Sequence, residues 1–107
     1  GRKGNQFISG GENIQPEEIE CYLCQIEGIL DAIVVPMKNE EFGHRPVAFI
    51  KTIDSLNISL IKEKLEKVLP RFKLPDTFLM WPQEVWDLKL NRQYFKDLAE
   101  QNKLTVS

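Results

Sequence analysis

The chain has 107 residues, of which 42% are hydrophobic and 28% charged, and 14 Lys and Arg against 16 Asp and Glu give it a net charge of −2. This length suits one domain with a single core, and the spread of apolar residues disfavours disorder. No apolar run approaches the ~20 residues that span a bilayer, no secretory signal opens the chain, and no bulk basic charge attracts nucleic acid. Because the first residue is Gly1, we expect a chain cut from a longer protein or processed.

The first half of the chain predicts a strand or hairpin, a helix and a strand pair. Phe7-Ile8 indicates the first strand, and Gly10-Gly11 breaks it. Pro and acidic residues suit the first turn of a helix, and apolar residues at i, i+3, i+4 and i+7 continue that helix from Pro16 to about Gln25. Two β-branched runs, residues 29–37 and 46–50, are joined by a turn-rich segment and predict an antiparallel pair.

The second half predicts a helix, a short strand and a last helix. Apolar residues at helical spacing mark residues 58–68, and Pro70 ends that helix. Residues 77–81 form a short apolar run between prolines, and residues 91–101 carry an aromatic and aliphatic stripe. The order β-α-β-β-α-β-α predicts an α+β fold, a small sandwich of a short β-sheet packed with about three helices.

The cysteines and the histidine do not predict a metal or redox site. Cys21 and Cys24 lie three apart on the predicted helix and point away from its apolar face. A zinc site needs four ligands, and a redox pair normally lies at a helix N-terminus, so we interpret both as small packing residues. His44 has no evident partner and is interpreted as a turn residue. Two cysteines are too few for a disulfide scaffold and favour a reducing, cytoplasmic setting.

Two segments are candidates for ligand binding. Ser9-Gly10-Gly11-Glu12-Asn13 lies between a strand and a helix N-terminus, where backbone amides can approach a ligand closely. It is neither a phosphate-binding P-loop nor a dinucleotide-binding glycine motif, so a structural turn is the default. Lys89 lies in a non-periodic stretch where it could reach an anionic ligand, although an exposed surface lysine is the simpler interpretation.

Together these segments resemble the motifs of one family. The family's hinge motif is similar to Gly1-Arg2-x-Gly4-x-x-Phe7-Ile8-x-x-Gly11-x-x-Ile14-x-Pro16-x-Glu18-Ile19-Glu20. A later family element is similar to Leu69-Pro70-Arg71-Phe72-Lys73-Leu74-Pro75, and Lys89-x-x-Arg92 falls where the catalytic lysine motif ends. The family is the adenylate-forming acyl/aryl-CoA synthetases. Within it, residues 7–18 and 41–48 are most similar to the 2-succinylbenzoate–CoA ligases of menaquinone biosynthesis.

The resemblance implies a domain organisation and a reaction. Residues 1–107 would form the single, mobile C-terminal domain, with residues 1–6 as its hinge and the large N-terminal domain absent. Members of the family join a carboxylate to ATP with Mg²⁺, release pyrophosphate, and then transfer the acyl group from AMP to CoA. The implied partners are the chain's own N-terminal domain and a small-molecule carboxylate, with no nucleic acid and no membrane span. We expect the isolated domain to bind no cofactor and to be inactive.

The resemblance also implies roles for single residues. Lys89 would be the catalytic cation of the adenylation step, although Leu88 stands where the family usually has Gly. Arg2 and Gly4 would form the hinge. Four residues would line the pantetheine arm of CoA: Ser9, Gly10, Gly11 and Glu12. Candidate contacts for the CoA phosphates are Arg45, Lys51, Arg71 and Lys73. No residue is expected to bind a resident metal.

Three alternatives stay open. The same fold could load a phosphopantetheine arm on a carrier protein instead of free CoA. The chain could be a non-enzymatic α+β interaction module in which the glycine turn and Lys89 are merely structural. A redox or zinc protein built on Cys21 and Cys24 is the least favoured.

Overall fold

A computed structural model describes the backbone of residues 5–53, 57–82 and 92–106, and side chains as far as residue 101. The strands are β1 (Phe7–Ser9), β2 (Glu12–Ile14), β3 (Ile29–Asn39), β4 (Gly43–Thr52) and β5 (Thr77–Met80). The helices are α1 (Pro16–Cys24), α2 (Ile58–Glu66) and α3 (Arg92–Val106), with a 3-10 turn at Arg71–Lys73. This arrangement confirms the predicted α+β fold.

The strands form one small hairpin and one three-stranded sheet. β1 and β2 pair antiparallel through the turn at Gly10 and Gly11. In the larger sheet β4 is central: it pairs antiparallel with β3 and parallel with β5, which is reached through α2. The antiparallel pair of β3 and β4 was predicted, whereas the parallel pairing of β5 was not specified by its short apolar run.

The larger sheet is covered on both faces, because successive side chains of a strand point to opposite sides. On one face, Val34 and Ile50 pack with α1 and α2 in a cluster that includes Leu23 and Leu65. On the other face, Val35, Val47 and Phe49 pack against Phe95 and Ala99 of α3. The central strand β4 is therefore buried continuously from Arg45 to Ile50.

The sequence prediction left a strand or a hairpin open before the first helix, and the structure forms the hairpin, with β2 as its second strand. At three residues, β2 is too short to show the alternation of a strand. A pair of glycines between two short runs is itself a hairpin signal, because both central positions of that turn need positive φ. Gly10 and Gly11 have φ of +57° and +85°.

Helix boundaries follow local chemistry. The prediction placed α1 between Pro16 and about Gln25, and the helix runs from Pro16 to Cys24. α2 begins after Asn57, whose side-chain oxygen accepts a hydrogen bond from the backbone N–H of Ser59 at 2.9 Å. This cap satisfies one of the backbone donors that every helix N-terminus leaves unpaired.

Candidate functional site

The glycine hairpin is a fixed element of the fold. Its turn lies against the connection between β3 and β4, where the Gly10 N–H donates to the Phe42 carbonyl at 2.8 Å. A Cβ on Gly10 would lie 2.9 Å from Cδ1 of Phe42, whereas a Cβ on Gly11 would meet nothing within 4 Å. Both positive φ and close packing thus favour glycine at position 10, while Gly11 presents bare backbone to open space.

A cavity of about 620 Å³ adjoins this hairpin. Its walls come from three parts of the chain: the hairpin with Ser9, Gly10 and Glu12, the turn with Phe42, and the segment that includes Arg71, Phe72 and Leu74. Residues of α2, together with Arg45 of β4 and Phe78 of β5, complete the lining. This volume is within the range of small-molecule and cofactor sites, and these sites commonly combine an apolar lining with a few polar groups.

The cavity is mixed in charge. Lys62 and Arg71 line it together with Glu12 and Glu66. Two acidic groups offset the two exposed cations, so the cavity offers no general basic field for a polyphosphate. It is better suited to a ligand whose main part is an uncharged chain with hydrogen-bonding groups. One anionic group at the end of such a ligand would then bind a single cation.

Arg45 also lines this cavity, and its side chain is only 10% exposed. Its Nε and Nη2 donate to Oδ1 of Asp76 at 3.0 and 2.9 Å, and Nη2 also donates to the Leu74 carbonyl at 2.8 Å. Nη1 donates to Oγ of Ser9 at 2.9 Å and to the Phe72 carbonyl at 2.8 Å. These five bonds use the five N–H donors of a guanidinium, so none is left for a CoA phosphate.

The other predicted phosphate contacts differ in availability. The Nζ of Lys73 forms an ion pair with Oε1 of Glu18 at 2.7 Å. Arg71 is exposed and lines the cavity, and its side chain forms no hydrogen bond or ion pair with any residue that the structure describes. Lys51 is exposed on β4 and does not line the cavity. Of the four predicted cations, Arg71 is therefore the best placed for an anion in this cavity.

A second guanidinium fixes the start of α3. Arg92 donates to both carboxylate oxygens of Glu20 at 2.8 and 2.9 Å and to the Val34 carbonyl at 2.9 Å. The Val34 N–H donates to Glu20 at 2.8 Å. Both backbone groups of Val34 on the outer side of β3 are thus satisfied by side chains, which protects this sheet edge.

Glu17 belongs to the same anchor, 3.5 Å from Arg92. Burial raises the pKa of the Glu17 carboxyl, but a 2.6 Å hydrogen bond from Asn5, a backbone hydrogen bond and the charge of Arg92 outweigh that effect. The pKa of Glu17 therefore lies below its usual value. The carboxylate is the form that stabilises the start of α3.

Several predicted site residues lie outside the described residues: the catalytic candidate Lys89, and the hinge candidates Arg2 and Gly4. The described residues on either side of the Lys89 segment are Pro82 and Arg92.

The two cysteines are free and exposed, as expected for residues that point away from the apolar face of α1. Their interpretation as packing residues was wrong, because neither belongs to a core cluster of the described residues. Burial, with the nearby charges of Asp31 and Glu20, raises the pKa of the Cys24 thiol, so its reactive thiolate form is disfavoured. His44 lies edge-on to the Phe7 ring at 6.3 Å. Among the described residues, no group of three or more His, Cys, Asp or Glu could hold a metal ion, and no helix is long and apolar enough to cross a membrane.

Several cavity residues were not among the predicted site residues. Lys62 of α2 is one of them, and it lines the cavity. Its position four residues after Ile58 and three before Leu65 placed it beside the buried stripe, which was an available signal. Phe42 lies in the turn-rich segment between the two predicted strands. A large aromatic residue in such a polar turn was an available signal for a binding residue, and its side chain is 42% exposed in the structure.

The chain is similar over almost its whole length to one group of enzymes. It is 38% identical over 109 residues to the 2-succinylbenzoate–CoA ligase of Haemophilus influenzae, an alignment that covers 97% of this chain and 24% of that protein. The corresponding Escherichia coli ligase is 38% identical over 102 residues, which cover 94% of this chain and 22% of that protein. The chain thus spans about a quarter of the length of these curated relatives. No protein-family model matches it.

Solved structures agree with this similarity. A variant of E. coli MenE with bound OSB-AMS superposes with a TM-score of 0.86 at 37% identity, covering 95% of this chain and 22% of that chain. The o-succinylbenzoate CoA synthetase of Bacillus subtilis, in complex with the acyl-adenylate intermediate OSB-AMP, gives a TM-score of 0.80 at 26% identity, covering 90% and 20%. The chain therefore belongs to the adenylate-forming CoA ligases, in which it corresponds to a C-terminal domain.

Proposed function

We propose that this chain is the C-terminal domain of an ATP-dependent, AMP-forming ligase that converts 2-succinylbenzoate, ATP and CoA to 2-succinylbenzoyl-CoA, AMP and pyrophosphate. Its partners are the N-terminal domain of the same polypeptide and the carboxylate substrate. Mg²⁺ would accompany ATP as part of the substrate. The two unpaired cysteines fit a reducing cytoplasm.

The observation that carries this proposal is the glycine hairpin beside an open cavity. The turn at Gly10 and Gly11 offers backbone without side chains next to a volume of about 620 Å³. A pantetheine arm is a narrow, uncharged chain with two amide groups, and it suits such a wall because glycine lets the backbone approach a ligand closely. Arg71 at the cavity lining is the cation that we assign to a CoA phosphate.

Lys89 is the group that we assign to the adenylation step. A carboxylate that attacks a phosphate of ATP brings two anions together, and a fixed cation stabilises the charge that develops in the transition state. Arg92 follows Lys89 by three residues in the sequence, and its side chain is anchored to Glu20. Arg2 and Gly4 retain their assignment to the hinge that would bring either working segment to the active site.

The test separates the two half-reactions in the full-length polypeptide. ATP–pyrophosphate exchange with 2-succinylbenzoate measures adenylation, and thioester formation from preformed acyl-adenylate and CoA measures acyl transfer. We expect Lys89→Ala to lower exchange about 10²- to 10³-fold and to spare thioester formation. Lys67→Ala is the matched control, since Lys67 is an exposed lysine that does not line the cavity.

The same assays decide between the alternatives. If ATP–pyrophosphate exchange occurs only with a different acid, the assignment as a ligase is retained and 2-succinylbenzoate is replaced as the proposed substrate. Acyl transfer to a phosphopantetheine-bearing carrier protein, but not to CoA, would favour the carrier-loading alternative. A wild-type polypeptide that supports no exchange with any carboxylate would overturn the proposal and favour the interaction module.

A further inference from the structure

We infer that Arg45 is a positioning residue for the CoA half-reaction: it holds the glycine hairpin at a fixed distance from the opposite wall of the cavity. This inference rests on the proposed function, and it changes the role assigned to Arg45 from phosphate contact to internal anchor. The geometry behind it lies wholly within the described residues.

The guanidinium of Arg45 joins the two walls directly. One Nη1 donor reaches Oγ of Ser9, the last residue of β1 before the glycine turn. The same nitrogen reaches the Phe72 carbonyl on the facing segment, and Nη2 reaches the Leu74 carbonyl there. One rigid planar group therefore sets the separation between hairpin and facing segment.

The anchor also orients the groups around it. Oδ1 of Asp76 receives two of the five bonds and so fixes the plane of the guanidinium. The Arg45 Cζ lies 5.7 Å from the centroid of the Phe42 ring, and that ring packs under Gly10. Ser9 is 2% exposed, so its hydroxyl is turned inward to the anchor instead of outward to a ligand. Its place in the CoA loop is thus to connect the hairpin to Arg45.

Arginine is the side chain that this position requires. Five donors in a planar fork reach two carbonyls, a hydroxyl and a carboxylate at once, whereas the three donors of a lysine ammonium sit on one atom at the end of a flexible stem. Loss of the fork would remove the Ser9 hydrogen bond to the guanidinium, and the Gly10 N–H would remain as the hairpin's hydrogen bond to the turn, beside the packing of Phe7 and Ile14 in the core. A displacement of about 1 Å in a positioning element can lower a rate about 100-fold.

The experiment measures both half-reactions in the full-length polypeptide carrying Arg45→Met, with kcat and KM for CoA determined separately. We expect thioester formation from preformed acyl-adenylate to fall about 10- to 100-fold in kcat/KM for CoA, with a loss in kcat. ATP–pyrophosphate exchange should stay within about twofold, because Arg45 does not contact the described end of the Lys89 segment. Arg45→Lys should recover only part of the loss.

Ser9→Ala tests whether the effect passes through the hairpin. If Arg45 acts on the hairpin through Ser9, the double variant Ser9→Ala/Arg45→Met should be no slower in thioester formation than Arg45→Met alone, because residues that act through one contact are non-additive. Ile29→Val is the control for a general loss of stability. Ile29 is buried in the core cluster that also contains Phe7 and Ile14 of the hairpin, but it lies at the end of β3 away from Arg45. It should leave the ratio of the two half-reactions unchanged.

The inference is overturned if exchange and thioester formation fall in parallel in Arg45→Met, or if thioester formation is unchanged in the folded variant. If Arg45→Met does not fold, the same comparison is made with Arg45→Lys, and a parallel loss there overturns the inference equally. A wild-type polypeptide that forms the acyl-adenylate but no CoA thioester would instead overturn the proposed acyl transfer to CoA.

Discussion

Gly10 and Gly11 both have positive φ but differ in their surroundings. Alanine substitutions at the two positions can therefore distinguish the cost of backbone strain from the cost of close packing. At either position a side chain would occupy a left-handed conformation that costs about 1–2 kcal/mol. Only at Gly10 would the added Cβ meet a neighbour, the Phe42 ring at 2.9 Å. Because this ring is 42% exposed, it can move away from the added methyl group, and its movement changes the cavity.

We therefore expect Gly10→Ala to destabilise the fold by about 1–3 kcal/mol and to slow CoA thioester formation. Gly11→Ala should lose about 1–2 kcal/mol and be the more active of the two in acyl transfer. Denaturant unfolding and the thioester assay measure the two effects. The double variant Gly10→Ala/Phe42→Leu should regain part of the activity, and a lack of any regain would show that the ring is not the cause.

At the scale of elements, the Glu20–Arg92 pair connects α1, β3 and α3. It is partly buried, with the two side chains 15% and 23% exposed, and it satisfies both outer backbone groups of Val34. A substitution in this pair therefore breaks an ion pair and also leaves backbone groups of a sheet edge without partners. The second effect is the larger, since an unsatisfied polar group costs more than the net value of its hydrogen bond.

Arg92→Met should lower the free energy of unfolding by about 1–3 kcal/mol. Glu20→Gln should lose less, because an amide side chain can still accept from the Val34 N–H. Equilibrium unfolding in urea measures both, and a double-mutant cycle should give a coupling energy of about 0.5–3 kcal/mol between the two positions. Additive losses would mean that the contact contributes little to stability.

Lys73→Met is the comparison variant, because it breaks the more exposed pair with Glu18. It should lower the free energy of unfolding by less than ~1 kcal/mol.

These anchors mark the limit of what the sequence predicts. Periodicity placed the helices and the long strands, because each pattern is local and repeats several times. The Glu20–Arg92 pair joins residues 72 apart, and the Arg45–Asp76 pair joins residues 31 apart. No local pattern marks such contacts, so Arg45 was predicted only as a candidate phosphate contact, and its bonds to Ser9 and Asp76 were not predicted. The cavity likewise depends on the packing of several distant segments, although the glycine hairpin at its edge was recognisable.

At the scale of the whole molecule, the two faces of the larger sheet support different working segments. The cluster under α1 and α2 lies beside the hairpin and cavity, with Phe7 and Ile14 of the hairpin buried in it. The opposite cluster is built on Phe95, whose ring centroid is 4.9 Å from that of Trp81 and 5.0 Å from that of Phe49. Trp81 precedes the Lys89 segment and Phe95 follows it, so one aromatic cluster holds both of its flanks.

Phe95→Ala should therefore act mainly on adenylation. Removal of a fully buried Phe ring costs about 3–5 kcal/mol, and the ring's contacts lie on the α3 face alone. We expect hydrogen exchange in the full-length polypeptide to increase most in α3, and ATP–pyrophosphate exchange to fall more than thioester formation.

Leu23→Ala, in the cluster under α1 and α2, is the matched core truncation. Because Leu23 supports the other face, it should loosen the hairpin side and slow thioester formation more. Identical profiles for the two variants would show that the domain responds as a single cooperative unit, and that the two faces do not serve the two half-reactions separately.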